Sequence, residues 1–325
     1  MIQYLILLID SDAPSFCYYD ASPGFNAPKR IDIEILRHVI RIAHLYNLKL
    51  NVLTNGSPLP PEYCQLLDEV VHISLSKQLQ TFGSRDDIWI IDDVVSCLRN
   101  DKVSTNCRHI VSLRIKPQEL EHLPEFISTY RHKTQRINIH LLDISRYSDA
   151  QLALYRDILL TISKQNGDLF SETSAQVNII TDPIDVCEMH NCNPGIEHLT
   201  VAPDGNYYIC PGFYYDGEQP CGNVTKVSEF GLRIESLSGI DIKNRQLLRL
   251  DHAPLCRRCN AYHCKRCIWL NKRSTREVNT PSRAQCIASH YELESARHAA
   301  FEQMGIEFAP VTCFDPIEEI DKVDW

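Results

Sequence analysis

The cysteines of residues 187–286 constrain this chain more than any other feature. They fall at Cys187, Cys192, Cys210, Cys256, Cys259, Cys264, Cys267 and Cys286, with Cys221 between, so nine of the fourteen cysteines lie in this one stretch. As spacings they read C-x4-C-x12-G-x4-C, a long gap, C-x2-C-x4-C-x2-C, and a last cysteine after eighteen more residues. Two cysteines separated by two residues can turn both thiolates toward one point, whereas a disulfide between them would be strained. The pattern therefore reads as metal ligation. Eight thiolates make two sets of four, and four cysteines hold either one [4Fe–4S] cluster or one tetrahedral zinc.

Ligation rather than disulfide bonding also fits the compartment that the rest of the chain implies. The apolar opening Met1–Ile9 ends at Asp10 without a basic n-region or a cleavage site, so it reads as a buried first strand and not as a signal peptide. No apolar run approaches the roughly 20 residues of a membrane-spanning helix. A cytoplasmic protein with no membrane partner is expected, and clustered cysteines in a reducing compartment are ligands more often than disulfides. The net charge of −9 argues against a general nucleic-acid binder. Arg257, Arg258, Lys265, Arg266, Lys272 and Arg273 nevertheless crowd the cysteines. Cations there offset the negative charge of a four-thiolate site or form a surface for a partner.

The 325 residues are enough for two domains. Residues 1–183 alternate β-rich runs with helical patterns, the signature of an α/β domain with a largely parallel sheet. Strands are expected over Tyr4–Asp10, Lys49–Thr54, Val70–Leu75, Asp87–Asp92, His109–Ile115, Arg136–Leu142 and Ala175–Thr181. Their near-continuous apolar character is that of strands buried on both faces. Helical spacing of Ile35, Leu36, Val39, Ile40 and Ala43 follows Asp32, a candidate N-cap, and further helices are expected over Pro117–Tyr130 and Ser148–Lys164. From about Asp182 the periodicity fades and turn residues multiply. Leu199-Thr200-Val201 and Tyr207-Tyr208-Ile209 fit the arms of a hairpin reversing at Pro203-Asp204-Gly205-Asn206 and ending on Cys210. A helix over Ser289–Gln303 and an acidic tail close the chain.

With those residues in place, the C-terminal half resembles the SPASM domain, the extension of many radical S-adenosylmethionine (SAM) peptide-modifying enzymes that carries two auxiliary [4Fe–4S] clusters. The likeness lies in the C-x12-G-x4-C pattern, in Val201-Ala202-Pro203-Asp204-Gly205-Asn206-Tyr207-Tyr208-Ile209-Cys210, and in Gly222-Asn223-Val224. Carried over position by position, it implies that Cys187, Cys192, Cys210 and Cys267 hold one cluster and that Cys256, Cys259, Cys264 and Cys286 hold the other. The family usually has C-x2-C-x5-C-x3-C, and this chain is one residue shorter in each of the last two gaps.

The N-terminal half resembles the radical SAM partial (β/α) barrel, with a decisive departure. The family's C-x3-C-x2-C motif after the first strand corresponds here to Ala13-Pro14-Ser15-Phe16-Cys17-Tyr18-Tyr19-Asp20, where alanine and aspartate replace two of the three cysteines. No Gly-Gly-Glu motif lies between Asp20 and Val52; only Leu53-Thr54-Asn55-Gly56 resembles the family's later Thr-Asn-Gly strand end. The resemblance implies a degenerate radical SAM-like α/β domain over 1–183, a SPASM-like iron–sulfur domain over 184–290 and a C-terminal helix and tail over 291–325. It runs closest to maturase-like proteins found beside an intact radical SAM enzyme and a peptide with repeated Cys-x-x-x units.

The function so implied is that of an accessory iron–sulfur subunit. It would pair as a heterodimer with an intact radical SAM maturase, bind a Cys-containing precursor peptide or relay electrons, bind no SAM, and not be an autonomous catalyst. A zinc-binding interaction module and an active peptide-modifying enzyme with non-SAM chemistry are the alternatives. Of the remaining candidates, Cys17, Cys64, Cys97, Cys107, Cys313 and Cys221 read as relic or packed thiols, with a nucleophile at Cys17 and a substitute ligand at Cys221 as the alternatives, and His190 and His263 read as supports for neighbouring ligands or as zinc ligands themselves. Phe213-Tyr214-Tyr215 reads as a cover over a cluster or as a stacking surface for a peptide. Asp10, Asp12 and Asp20 lie at the strand end where an open α/β sheet places ligands, although a solvated loop explains them as well.

Overall fold

The structure, a computed structural model, describes residues 2–13, 29–68, 88–100, 110–187, 192–226, 253, 256–264 and 266–308. In chain order its elements are β1 (Tyr4–Leu8), α1 (Ile33–Leu45), β2 (Lys49–Leu53), α2 (Pro61–Leu67), β3 (Ile88–Ile91), α3 (Val94–Asn100), β4 (Ile110–Ile115), α4 (Leu123–Tyr130), β5 (Arg136–Leu141), α5 (Asp149–Gln165), β6 (Gln176–Val177), α6 (Asp182–Asp185), β7 (His198–Val201), β8 (Asn206–Tyr208), α7 (Pro211–Tyr215), β9 (Gly222–Asn223), α8 (Ile268–Thr275) and α9 (Arg283–Met304). They form two sheets, β2-β1-β7-β8-β9 and β3-β4-β5-β6. Two compact units divide at Ile90. The first takes the described residues up to that point together with 192–226, and the second takes 91–187 together with 253–308.

In the first unit β1 runs parallel to β2 on one side and to β7 on the other, with Tyr4 opposite both Lys49 and His198. Leu5, Leu7, Leu8 and Ile9 are wholly buried, as a strand paired on both edges and covered on its faces requires. Helix α1 starts where expected: Asp32 accepts a hydrogen bond from the Glu34 amide at 2.8 Å, which satisfies one of the amides a helix start leaves open. Its buried residues Leu36, Val39, Ile40 and Ala43 repeat at helical spacing. The expected hairpin is present as antiparallel β7 and β8, with Thr200 opposite Tyr208 and Val201 opposite Tyr207. Gly205 closes its turn at φ +78°, and a Cβ there would come within 3.1 Å of Ile35 Cδ1. Both the left-handed backbone and the closeness of α1 favour glycine.

In the second unit β4, β5 and β6 are parallel, with Ile110 opposite Arg136 and Arg136 opposite Gln176. Two expectations are corrected here. The helix over Pro117–Tyr130 breaks into a 3-10 segment, Pro117–His122, followed by α4, because Pro124 in the first turn of α4 has no N–H to continue the ladder. The strand over Ala175–Thr181 stops at Val177. The Thr181 hydroxyl accepts the Val177 amide at 2.9 Å, the Thr181 amide donates to the Val177 carbonyl at 2.7 Å, and the chain turns there instead of extending. Helix α5 begins at the Ser148–Gln151 capping box and packs against α9: Tyr155 donates to Glu292 at 2.7 Å, and the Ser163 and Ser295 hydroxyls stand 3.0 Å apart. Small residues of α9, Ala288, Ala296, Ala299 and Ala300, are buried and let the helices approach closely. The expected strand Val70–Leu75 and the acidic tail lie outside the described residues. Among those described, no helix is long and apolar enough to cross a membrane.

His198 supplies a pH dependence. Its ring stacks on Tyr4 with centroids 4.8 Å apart, and it is 2% exposed. Burial lowers its pKa from 6.5 to about 4, and a hydrogen bond to the Cys192 main chain opposes the shift only in part. The folded-state value lies below the unfolded one, so the buried neutral ring contributes stability that is complete above about pH 6.5 and lost as pH falls toward 4. The shift is worth on the order of 3 kcal/mol. The midpoint of urea unfolding should fall between pH 7 and pH 4.5, and His198→Phe, which keeps the stack, should flatten that fall. An identical pH profile in the variant would remove His198 as its source.

Candidate metal centre

Tight local turns assemble the cysteine loop of the second unit. A single 3-10 turn, Cys256–Arg258, brings the Cys259 amide onto the Cys256 carbonyl at 3.0 Å, and a second turn brings the Cys264 amide onto the Ala261 carbonyl at 3.1 Å. Between them the Ala261 amide donates to Cys259 Sγ at 3.4 Å. Cys267 follows, mostly buried at the start of α8, its carbonyl accepting from the Asn271 amide at 2.9 Å. Cys286 lies in the first turn of α9, where its amide donates to the Ser282 carbonyl at 3.2 Å.

Cys256, Cys259 and Cys264 lie within electrostatic reach of one another. Burial raises the Cys256 thiol pKa, Arg266 lowers it by charge and by a hydrogen bond, and Cys259 raises it again. Cys264 is half-buried as a residue but its sulfur is enclosed. Burial pushes that thiol up to about 12, with a hydrogen bond from Ser289 opposing and Cys256, Cys259 and Glu292 adding to the rise. Arg266 is 0% exposed. A guanidinium cannot shed its proton, so it must be buried against negative charge. A metal-bound thiolate at Cys256, which Arg266 already faces, would add negative charge beside it. The donor chemistry of this set thus fits a thiolate-held metal, although among the described residues no three His, Cys, Asp or Glu side chains stand in a group that would hold a metal ion. Ligands of this kind are commonly drawn together only when the metal binds.

The other expected set is divided between the units: Cys192 and Cys210 belong to the first, Cys187 and Cys267 to the second. Cys187 and Cys192 are exposed and Cys210 is buried. The hairpin carries Cys210 off the end of β8, while the segment after Cys192 is tied to the start of β7 by the Gly195 amide donating to the His198 carbonyl at 2.8 Å.

Several other residues take structural roles. Cys221 is wholly buried, with its thiol pushed up to about 12 by burial and donating to the Tyr207 carbonyl at 3.3 Å, so it is a packed thiol. Cys97 is buried 3.6 Å from the Tyr130 hydroxyl, and Cys64 is half-buried. Phe213, Tyr214 and Tyr215 are core residues, and Tyr215 donates to the Ala13 carbonyl at 2.7 Å. The solvated-loop reading of Asp10 and Asp12 is corrected. Asp10 is buried and accepts from Arg30 Nε at 2.8 Å and from the Asn55 amide at 3.1 Å, while Asp12 accepts from Asn55 Nδ2 at 3.0 Å. These carboxylates fasten the ends of β1 and β2 together. His263 Nε2 stands 3.0 Å from Glu292 Oε2, so its ring supports the loop through a carboxylate. Cys17, Asp20, Cys107, Cys313 and His190 lie outside the described residues.

Sequence reasoning missed His290, whose Nε2 is 3.4 Å from Cys259 Sγ. A helix expected to begin at Ser289 leaves Cys286 off it. Helix α9 instead begins after Ser282, whose side chain accepts from the Gln285 amide, and this places Cys286 and His290 one turn apart on one face. Ser282 as an N-cap was the available signal.

Replacing Cys221 with Ala should leave bound metal unchanged while lowering stability by about 1 kcal/mol for the lost packing; a loss of metal would make Cys221 a ligand. Tyr155→Phe, which removes one partner of the buried Glu292, should cost about 1–3 kcal/mol in chemical denaturation.

No protein-family model matches this chain, and no curated protein matches it. Among solved structures, the chain is similar to Streptococcus suis SuiB bound to S-adenosylmethionine, at 10% identity and TM-score 0.42, with 69% of this chain and 62% of that chain covered. It is similar also to SuiB bound to the precursor peptide SuiA, at 10% identity and TM-score 0.37, covering 69% and 63%. A third likeness is to BtrN in complex with AdoMet and 2-DOIA, at 8% identity and TM-score 0.29, covering 70% and 79%. The chain therefore spans less than two thirds of the length of the SuiB chains.

Proposed function

We propose that this chain is an accessory iron–sulfur subunit of a ribosomal-peptide modification system, paired with an intact radical SAM maturase and a Cys-containing precursor peptide, and that it does not itself cleave SAM. The observation that carries the iron–sulfur reading is the cysteine loop of the second unit, where Cys256 is hydrogen-bonded to an arginine with no exposed surface. A metal-bound thiolate at Cys256 would place negative charge beside that cation. Cys256, Cys259 and Cys264 with a fourth ligand from α9, the helix that carries Cys286, would hold one cluster. Cys187, Cys192, Cys210 and Cys267 would hold the other, as the resemblance to the SPASM domain assigns them.

When bound, such clusters exchange single electrons at potentials set by hydrogen bonds to sulfur and by burial. The chain's own residues act on those two quantities. The Ala261 amide and the Ser289 hydroxyl donate to Cys259 and Cys264, and the small cavity beside Cys264 is lined both by apolar residues such as Ile139 and Leu141 and by polar ones such as Asn178 and Gln285. Ala13 supports the non-catalytic part of the reading. It occupies the position of the first cysteine of the SAM-cluster motif, it has no ligand atom, and it is wholly buried with its carbonyl accepting from Tyr215. The peptide and the maturase partner rest on the family resemblance.

Anaerobic purification should yield about eight irons and eight acid-labile sulfides per chain, as two four-cysteine clusters require. The double variant Cys256→Ala/Cys259→Ala should lose about half of each, and SAM should yield no 5′-deoxyadenosine unless an intact maturase is added. Zinc without sulfide would replace the iron–sulfur reading by a zinc-held interaction module, and cleavage of SAM by the isolated chain would make it an enzyme in its own right.

A further inference from the structure

Helix α9 offers the cysteine loop two ligand-bearing residues on one face, Cys286 and His290. The loop meets the helix at the later of the two turns. Ser289 hydrogen-bonds the Cys264 sulfur, His290 Nε2 stands 3.4 Å from Cys259 Sγ, and Glu292 Oε2 stands 3.0 Å from His263 Nε2. Three contacts in register place residues 259–264 against the turn 289–292, one turn beyond Cys286.

The separation of Cys259 and His290 also has the right size. A sulfur about 2.3 Å and an imidazole nitrogen about 2.0–2.1 Å from one metal, at a tetrahedral angle, lie about 3.6 Å apart. A thiol and an imidazole already near that spacing need little movement to share a metal. Cys256 and Cys264 supply the remaining donors, each within electrostatic reach of Cys259.

We propose that His290, and not Cys286, is the ligand that α9 contributes, so that the second set is Cys256, Cys259, Cys264 and His290. This rests on the metal-binding reading above and changes its ligand field. One neutral imidazole in place of a thiolate leaves the centre one charge less negative, and substituting imidazole for thiolate raises the potential of iron–sulfur centres. The same donor set would hold either an iron–sulfur cluster or a zinc ion.

The test compares wild type with His290→Ala, His290→Cys and Cys286→Ala, all as the full chain, in iron-loaded and zinc-loaded arms. X-ray absorption of the zinc-loaded protein should show a nitrogen shell at about 2.0–2.1 Å beside the sulfur shell, and pulsed EPR of the reduced iron-loaded protein should show an imidazole nitrogen coupling. The arm that gives stoichiometric binding identifies the metal. His290→Ala should lose the nitrogen signal and the metal of this site. His290→Cys should keep the metal with sulfur alone, which separates ligand loss from misfolding. Cys286→Ala should keep both metal and nitrogen signal. A metal-loaded wild type with no nitrogen signal, or a His290→Ala variant with unchanged metal and spectrum, overturns the proposal and leaves the cluster reading intact, the His290–Cys259 contact then being a hydrogen bond only. A wild type that binds neither metal overturns both.

Discussion

Parallel pairing on both edges of β1 is the constraint on which the first unit depends. A parallel strand cannot be reached by a tight turn, so β2 and β7 are joined to β1 only through long stretches of chain, and the sheet exists only once those stretches have returned. β7 enters in register with β1, from Tyr4 opposite His198 to Leu7 opposite Val201. That register sets the hairpin, and the hairpin sets the position of Cys210 at the end of β8. It also explains the burial of His198 under Tyr4: a histidine at the first paired position of an interior strand has no route to water and stays neutral.

The second unit is organised by buried polar groups that must be compensated in place. Arg114 on β4 is paired with Asp92 at 2.9 Å, and Arg136 on β5 reaches Asp182 at 2.5 Å. Glu292 on α9 is shared by Tyr155 and His263. Each pairing joins groups far apart in the chain, and removing one partner of a buried pair costs more than the pair gains. Arg266, wholly buried, belongs to this pattern, with the Cys256 thiol among its partners.

Elements governed by local chemistry were legible in the sequence. The Asp32 cap and the Ser148 cap start their helices as read, the Gly205 turn makes the hairpin, and the apolar runs beginning at Tyr4, Lys49, His109 and Arg136 give strands in parallel pairs. Misreadings arose where one side chain overrides a hydrophobic pattern. Ile179 and Ile180 are buried, yet they lie in a turn because the Thr181 hydroxyl takes the Val177 amide. Pro124 breaks a helix whose apolar spacing continues through it. The start of α9 was placed late because Ser282 is followed by polar and small residues, and its capping role shows only when the Gln285 amide is seen to meet it.

The sequence by itself determined where thiols and cations crowd together and that alanine stands at position 13. Cysteine spacing, the crowd of cations and the alanine at position 13 are facts of composition and order, and no fold alters them. Tertiary structure decided what those groups face. It packed Cys221 against a carbonyl, turned Asp10 toward Arg30, buried Arg266 beside Cys256 and brought His290 to Cys259. These outcomes depend on the phase of one helix and on the return of strands over long stretches of chain, and the energy of a contact between residues distant in sequence leaves no periodic trace in either segment alone.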